Sequence, residues 1–574
     1  MKLFGGSSFA IVENDSARIF MHDTEYFSIK VRILGNVLVK RKKALRGNLY
    51  RETIVVANPT KSKVQYEANL YVKPKFRDIF EVRGIHPSID RIPEASRGTF
   101  KYRGIDGIVR EFSISIRKGK GELSPYSWEK IVVEGEIKNI FNHIPHSPRI
   151  FAKGLWGLLE KALQDIRALS VLINSNPILF AGIPDFFCVF GRDSIISSLF
   201  LLPYTPEYAK GTLKVLASLQ GKNFNSHTLE EPGKIPHEYR VGELSLSGKL
   251  PFSPYYGSID ATPLFLILAE EYLKWTNDEE TIKGIGKNIE MAFEWVLGKL
   301  REGYIYYEYS NPFRPMNQGW KDSANGIPDE NGIPVKPPIA LVEVQGYAYA
   351  ALVNSYIFED IVDVDTKKLI NEGKKLKKRF NKDFIARKKK FYKLAKNSSV
   401  LASNQGHLLV SGIADYPNII VDSLFSENIM TRWGIRTLAE YENAYDPFSY
   451  HNGSIWPHDN AIIALGLQKS GFHEEAEELS LRVLSALREL NSIPELYAGL
   501  DSELPFEIKR ANNPQAWSAT SIFAFITASL GISPNEIEEE KTLLPDFKVY
   551  PVYIGGKKIK VEVKNGEIFT SRIP

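Results

Sequence analysis

Near Pro148 the spacing of apolar residues changes from about two to between three and four, and this switch limits what the chain can fold into. Before it, Ile29–Leu34, Glu52–Ala57, Val64–Val72, Glu111–Arg117 and Lys130–Gly135 alternate or are rich in β-branched residues, with Gly, Pro or Asn between the runs. Such runs bury one face each, so residues 1–147 are expected to form an antiparallel β-sandwich domain. After the switch, Leu155, Leu158, Leu159, Ala162, Ile166 and Leu169 fall on one helical face. The same spacing predicts helices near 192–202, 205–220, 259–275, 279–300, 340–359, 364–382, 424–440, 455–470, 473–490 and 514–530. So many helices imply one large helical domain over 148–574 rather than a small bundle. Its last stretch, about 546–574, reads as a short strand appendage around Ile554-Gly-Gly-Lys.

A chain of 574 residues is more than one core comfortably fills, which agrees with two domains. With 43% hydrophobic and 25% charged residues it has an ordinary soluble balance. The net charge of +5, spread over 73 basic and 68 acidic side chains, gives no basic footprint for nucleic acid. The single cysteine, Cys188, excludes an internal disulfide and a multi-thiolate zinc site, and is expected to be a small buried hydrophobe. No uninterrupted apolar stretch approaches twenty residues, so no membrane association is expected. Met1–Ala10 holds one lysine and no apolar run of signal length, which makes a cytoplasmic location the expectation.

The segments between the helices are where chemistry concentrates. Gly221–Pro254 and Glu302–Pro338 are long for loops of a compact domain, and such loops are usually functional or disordered. Theirs are rich in Trp, Tyr, His and carboxylates, which favours function. Six polar clusters stand at loops or helix starts: Phe190-Gly-Arg-Asp-Ser194, Lys234-Ile-Pro-His-Glu-Tyr-Arg240, Tyr255-Tyr-Gly-Ser-Ile-Asp260, Asn317-Gln-Gly-Trp-Lys-Asp-Ser323, Tyr450-His-Asn-Gly-Ser-Ile-Trp-Pro-His-Asp459, and Ile493-Pro-Glu-Leu-Tyr497 with Pro514-Gln-Ala-Trp517. Tryptophan beside carboxylate suits a sugar, whose C–H faces stack on rings while its hydroxyls need charged or amide partners. Glycoside cleavage then needs two carboxyl groups, one protonated and one ionised.

Each cluster also has a plainer reading. Asp193 and Asp260 suit helix N-caps or first-turn acids, Arg192 suits an ion pair, and Trp433, Trp456 and Trp517 suit the core. His237, His451 and His458 lack the close helical spacing of a ligand pair, so no metal is expected. The recurrence of six clusters at loop-to-helix junctions of one domain is what favours a shared site.

Taken in order, Phe190-Gly-Arg-Asp-Ser, Ile235-Pro-His-Glu, Tyr256-Gly-Ser-Ile-Asp-Ala-Thr-Pro, Gln318-Gly-Trp-Lys-Asp-Ser, Gly406-His-Leu-Leu, His451-Asn-Gly-Ser-Ile-Trp-Pro-His-Asp-Asn and Pro494-Glu-Leu-Tyr resemble the archaeal and bacterial glycogen-debranching enzymes of the amylo-α-1,6-glucosidase type. His22-Asp-Thr-Glu-Tyr-Phe-Ser and Phe76-Arg-Asp-Ile-Phe-Glu-Val-Arg-Gly are similar to that family's β-domain, so the likeness spans nearly the whole chain. The resemblance implies an (α/α)6 barrel like that of glucoamylases, and an inverting mechanism without a cofactor. It implies Asp322 as the general acid and Glu495 as the general base, with Glu343 the rival base. Arg192, Asp193, Asp260, Trp320, Trp456, His458, Asp459 and Trp517 are then expected around the terminal glucose of an α-glucan, with His237, Glu238 and Glu343 at the rim. Lys321 would hold a neighbouring acid ionised, so its ammonium is expected to point away from Asp322. A length of 574 residues leaves no room for a separate TIM-barrel transferase domain beside these two. Alternative readings are a glucoamylase- or trehalase-like exo-α-glucosidase on the same barrel, a non-catalytic α-glucan-binding protein, and a polysaccharide lyase, which the weak charge disfavours.

Overall fold

A computed structural model of the chain describes residues 2–4, 7–138, 144–308 and 316–572. Residues 309–315 of the long Glu302–Pro338 loop, residues 139–143 between the two parts, and the extreme ends of the chain lie outside the described residues.

The N-terminal part forms two antiparallel sheets. One runs in the order Lys2–Phe4, Ser8–Glu13, Ser16–Met21, Thr24–Leu34, Val64–Asp78, Lys120–Leu123. The other runs Leu38–Arg46, Leu49–Ala57, Trp128–Lys138, Val109–Arg117, Thr99–Arg103, Glu94–Ser96. The alternation read from the sequence is the burial alternation seen here: Tyr50, Glu52, Ile54 and Val56 point inward from one strand, and Ile131, Val133 and Ile137 from its neighbour. Both sheets contribute to one core, in which Phe27 stacks on Phe112 at 4.2 Å between ring centroids. Val64–Asp78 runs into a single helical turn, α1 (Ile79–Val82). The first sheet is joined to the helices by a second aromatic group, Phe9 stacked on Phe20 and edge-on to Phe187.

The helices are α2 (Leu158–Leu169), α3 (Gly191–Leu201), α4 (Glu207–Ser218), α5 (Glu243–Leu246), α6 (Ala261–Thr276), α7 (Glu279–Gly284), α8 (Gly286–Leu300), α9 (Val342–Val353), α10 (Thr366–Asp383), α11 (His407–Ser411), α12 (Pro417–Leu424), α13 (Pro457–Lys469), α14 (His473–Leu490) and α15 (Ala516–Leu530). They divide by burial. Every residue of α15 is buried, as is nearly all of α3, α9 and α13, and beyond their polar first turns these helices are mostly apolar or small on all sides. By contrast, α10 buries a stripe of Thr366, Leu369, Gly373, Leu376 and Phe380 with Asn381 and leaves its lysines in solvent. The buried set packs in a cycle, α3 on α6, α6 on α9, α9 on α11, α11 on α13, α13 on α15 and α15 back on α3. The amphipathic helices lie outside it, α4 on α3 and α6, α8 on α6, α10 on α9, α14 on α13 and α15, and α2 on α15.

Several expected elements differ. The run 279–300 is two helices, broken at Gly284-Ile-Gly286, where glycine supplies no helical preference. The helix expected over 340–359 ends at Val353 and gives way to a 3-10 turn, Ser355–Phe358. The segment 424–440 is not helical. It makes a tight hairpin, Met430–Thr431 with Gly434–Ile435, around Gly434 at φ +130°. Its apolar residues are buried as a loop, and the loop's backbone is satisfied by Asn460, which bonds Ile435 N and Ile435 O at 2.7 and 3.1 Å. The C-terminal appendage is a meander of Phe547–Ile554, Lys557–Lys564 and Glu567–Arg572, and it pairs with Phe151–Gly154 at the start of the helical part. Among the described residues, no helix is long and apolar enough to cross a membrane.

Candidate active site

The first turns of the six ring helices meet at one end of the ring, and the six clusters meet there with them. Each N-terminus presents unsatisfied N–H groups and a partial positive charge, which favours carboxylates and hydroxyl oxygens. Two glycines of the motifs allow the close packing this needs. A Cβ on Gly191 would lie 2.2 Å from Pro236 O, and one on Gly319 would lie 2.2 Å from Leu341 Cδ1.

Arg192, on the first turn of α3, is the hub. Its Nη1 donates to both oxygens of Asp260, at 3.1 and 2.9 Å, and its Nη2 lies 3.4 Å from Asp322 Oδ2. Asp260 occupies the N-cap position of α6 yet makes no side-chain cap bond, so its carboxylate serves Arg192 and Ser258 instead. Asp193 accepts from Gln515 Nε2 at 3.1 Å, and burial raises its pKa to about 7. His237 approaches Asp322 Oδ2 at 3.9 Å and is held neutral by burial and by Arg192. Glu238 accepts from Arg240 Nε at 3.1 Å, and its pKa is raised by burial.

Asp322 lies among these groups with 29% of its side chain still accessible. Burial raises its pKa to about 6, with the negative charges of Asp260 and Glu238 adding to the rise and Arg192 opposing it. Lys321 points away, as expected. Its ammonium donates to Thr437 O at 2.6 Å and lies 5.1 Å from the centre of the Trp320 ring. Glu495, in the loop before α15, differs from Asp322 in its bonding. Tyr450 Oη donates to its Oε1 at 2.5 Å, and Asn512 N and Nδ2 donate to its Oε2 at 2.9 and 3.0 Å. Burial still raises its pKa to about 7, against the lowering by these donors.

The remaining residues build a polar-lined aromatic box. Trp320 stands edge-on to Trp456 at 5.7 Å and to His458 at 5.2 Å, and Trp517 stacks on His458 at 3.7 Å. Asp459 Oδ1 bonds His407 Nε2 at 2.8 Å, whose Nδ1 meets Tyr347 Oη at 2.5 Å. Glu343 starts α9 beside Asn404, makes no well-formed hydrogen bond, and has its pKa raised to about 7 by burial. Here buried polar atoms without a partner among the described residues are concentrated: Arg192 Nε, Trp320 Nε1, Trp517 Nε1, both Glu343 oxygens, Asp459 Oδ2 and both ring nitrogens of His458. Buried polar groups are nearly always bonded, so donors and acceptors converging in this way call for a ligand of many hydroxyls or for water.

Most of the residues singled out in the sequence therefore lie close together at this end of the ring, whereas Trp433 lies apart, its indole donating to Ser502 O at 2.8 Å. Sequence reasoning passed over Tyr450, Asn512 and Gln515, which hold the carboxylates, and His407, Asn404 and Tyr347 behind the box. Most stand inside or beside the quoted motifs, but nothing in a motif says which member faces which carboxylate. Asn404 and Tyr347 carried no signal. Cys188 is buried with Ala181 and Phe190, as a small hydrophobe.

Buried carboxyl groups among aromatic rings, at one end of a ring of helices, fit a glycoside hydrolase. The chain belongs to the amylo-alpha-1,6-glucosidase family, whose model matches residues 167–524. A second match, over residues 15–134, is to the N-terminal domain of some glycogen debranching enzymes. No curated protein sequence matches as a relative. Among solved structures, the chain is similar to a GH63 mannosylglycerate hydrolase from Thermus thermophilus in complex with Tris, with a TM-score of 0.50 and 14% identity, over 64% of this chain and 100% of that one. The same enzyme in complex with glucose gives a TM-score of 0.50 at 13% identity, over 64% and 99%. At these identities the likeness concerns the fold.

Proposed function

We propose that this protein is an inverting glycoside hydrolase that releases α-1,6-linked glucose from branched α-glucans such as glycogen or its limit dextrin. In this reading residues 1–147 are a β-sandwich domain, and the cycle of buried helices with its outer layer is the (α/α)6 barrel of a catalytic domain over 148–574. The observation that carries the mechanism is the unequal bonding of two buried carboxyl groups. Three donors on Glu495 stabilise its ionised form, as a base requires. Among the described residues Asp322 has no such set of donors: burial and the charges of Asp260 and Glu238 favour its protonated form, as an acid requires, while Arg192 at 3.4 Å opposes them. Glu343 has no donor of good geometry and lies at the floor of the box, which suits a bond to a sugar hydroxyl better than activation of water.

The chemistry then balances as follows. Asp322 gives its proton to the glycosidic oxygen as the bond from that oxygen to the anomeric carbon breaks. Water attacks the anomeric carbon from the opposite face, and Glu495 takes the water's proton. Arg192, Asp260, Asp459 and His458 bind the hydroxyls of the terminal glucose, and Trp320, Trp456 and Trp517 wall its apolar faces.

The test is a substrate panel of panose, isomaltose, pullulan, maltose, trehalose and branched limit dextrin, with Asp322→Asn alongside. Glucose release from the branched substrates, abolished in Asp322→Asn with binding retained, is the expected result. Cleavage of maltose or trehalose alone refutes the linkage, and no turnover of any glucan refutes the enzyme reading.

A further inference from the structure

The N-terminal sheets reach the mouth of the site through two rigid contacts. Asp23, in the turn between Ser16–Met21 and Thr24–Leu34, accepts from Arg240 Nη1 at 2.8 Å and from Val241 N at 3.1 Å. Asp78 caps α1 through Phe80 N at 3.0 Å, and its other oxygen accepts from Leu244 N of α5 at 2.9 Å. Glu81 closes the capping box on Asp78 N at 2.8 Å and is clamped by Arg91, which also pairs with Glu243 at 2.8 Å. The end of α1 is therefore fixed against the helical part.

Arg83 is the C-cap residue of that turn. Its guanidinium lies over the Phe186 ring, 5.1 Å from the centroid. Phe186 belongs to the loop that precedes α3. The next residue back, Asp185, donates its N–H to Asn512 Oδ1 at 3.0 Å, and Asn512 is the residue that holds Glu495. On the other flank Arg240 joins Asp185 O to Glu238. Arg83 is thus within electrostatic reach of Asp185, of Glu238, whose charge acts on Asp322, and of Tyr450, which donates to Glu495.

The other arginines of this junction are paired: Arg240 with Asp23 and Glu238, Arg91 with Glu81 and Glu243, Arg77 with Glu25. Arg83 is half-buried, yet among the described residues its guanidinium donates to no acceptor and has no carboxylate within ion-pair distance. A guanidinium has five N–H donors and no acceptor, so one set over a ring with no acceptor among the described residues is suited to oxygen ligands. The terminal glucose is accounted for by groups on the helix N-termini. That reading assigns no group to the sugar beyond the scissile bond.

We propose that Arg83, contributed by the N-terminal sheets, is a substrate-binding residue that donates to the hydroxyls of the sugar on the leaving-group side of the scissile bond. The proposal rests on the glycosidase reading above, and it assigns those sheets a direct part in recognising the branched chain.

The experiment compares Arg83→Gln and Arg83→Lys with wild type on two substrates. One is a branched maltooligosaccharide, and the other is α-glucosyl fluoride, whose leaving group carries no sugar. In Arg83→Gln the ratio of kcat/KM on the oligosaccharide to that on the fluoride should fall about tenfold or more, the usual effect of losing a hydrogen bond to a charged group. Arg83→Lys should recover part of that ratio. In the Asp322→Asn background, calorimetry should show Arg83→Gln weakening the oligosaccharide more than glucose. A proportional loss on both substrates, or equal binding of the oligosaccharide, overturns the proposal. Failure of wild type to cleave either substrate refutes the glycosidase reading instead, and the binding comparison still decides the role of Arg83.

Discussion

Tyr450→Phe removes one hydroxyl and nothing else from the site. That hydroxyl donates to Glu495 Oε1 at 2.5 Å, one of three bonds the carboxyl accepts. A hydrogen bond to a charged acceptor contributes about 1.5–3 kcal/mol. Its loss destabilises the ionised form, and at about 1.36 kcal/mol per unit the pKa of Glu495 rises by about one to two units. The sign of the activity change follows. A base acts only when ionised, so raising its pKa costs activity below that pKa and nothing well above it. From a starting value of about 7, kcat/KM should fall roughly tenfold or more at pH 6 and below, and the loss should shrink to about twofold or less by about pH 9. Because Glu495 and Asp322 lie close enough to couple, the measured limbs belong to the pair, and the comparison is between the two profiles. The assay is kcat/KM on a branched oligosaccharide from about pH 4.5 to 9. A loss uniform across pH would mean that the tyrosine only packs, and an unchanged acid limb would remove Glu495 as the base.

Further outcomes follow from the other buried charges. Burial raises Glu343 to about 7 in the folded protein, against about 4.3 in an unfolded chain. The native state therefore keeps a proton that the unfolded state has lost between those values, and this group erodes stability as pH rises from about 4 to 7. Glu343→Gln should stabilise the fold at pH 8 by up to about 4 kcal/mol, read as a raised Tm, with the gain vanishing near pH 4 and hydrolysis impaired at both; an equal gain at both pH values contradicts it. Asp260→Ala leaves Arg192 buried with Asp322 at 3.4 Å as its one ion-pair partner among the described residues, so thermal unfolding should report a loss of about 3–5 kcal/mol. Trp517→Ala should weaken glucose binding in calorimetry, because Trp517 walls the box and stacks on His458 at 3.7 Å; unchanged affinity would place the box elsewhere.

The division into strands and helices was legible because apolar spacing is local. The strands around Ile54, Phe112 and Val133 alternate, and the helices around Leu376 and Leu484 carry one apolar stripe. The segment 424–440 misled because a buried loop braced by Asn460 spaces its apolar residues as a helix does. Short helices such as α5, α11 and α12 complete too few turns to show a period. The site was legible as a set of motifs but not as a geometry. Asp322 and Glu495 stand in recognisable stretches, whereas the donors that distinguish them, Tyr450 and Asn512, come from other loops. Arg83 and Asp23 belonged to motifs of the N-terminal part, and only the packing of the two parts brings them to the mouth.

In the proposed mechanism Asp322 and Glu495 invert the anomeric centre through a single displacement by water. Proton NMR of the first sugar released from a branched α-glucan, recorded before mutarotation, tests it most directly. β-Glucose appearing first is the predicted result, and α-glucose appearing first would contradict the mechanism and the roles given to both carboxyl groups.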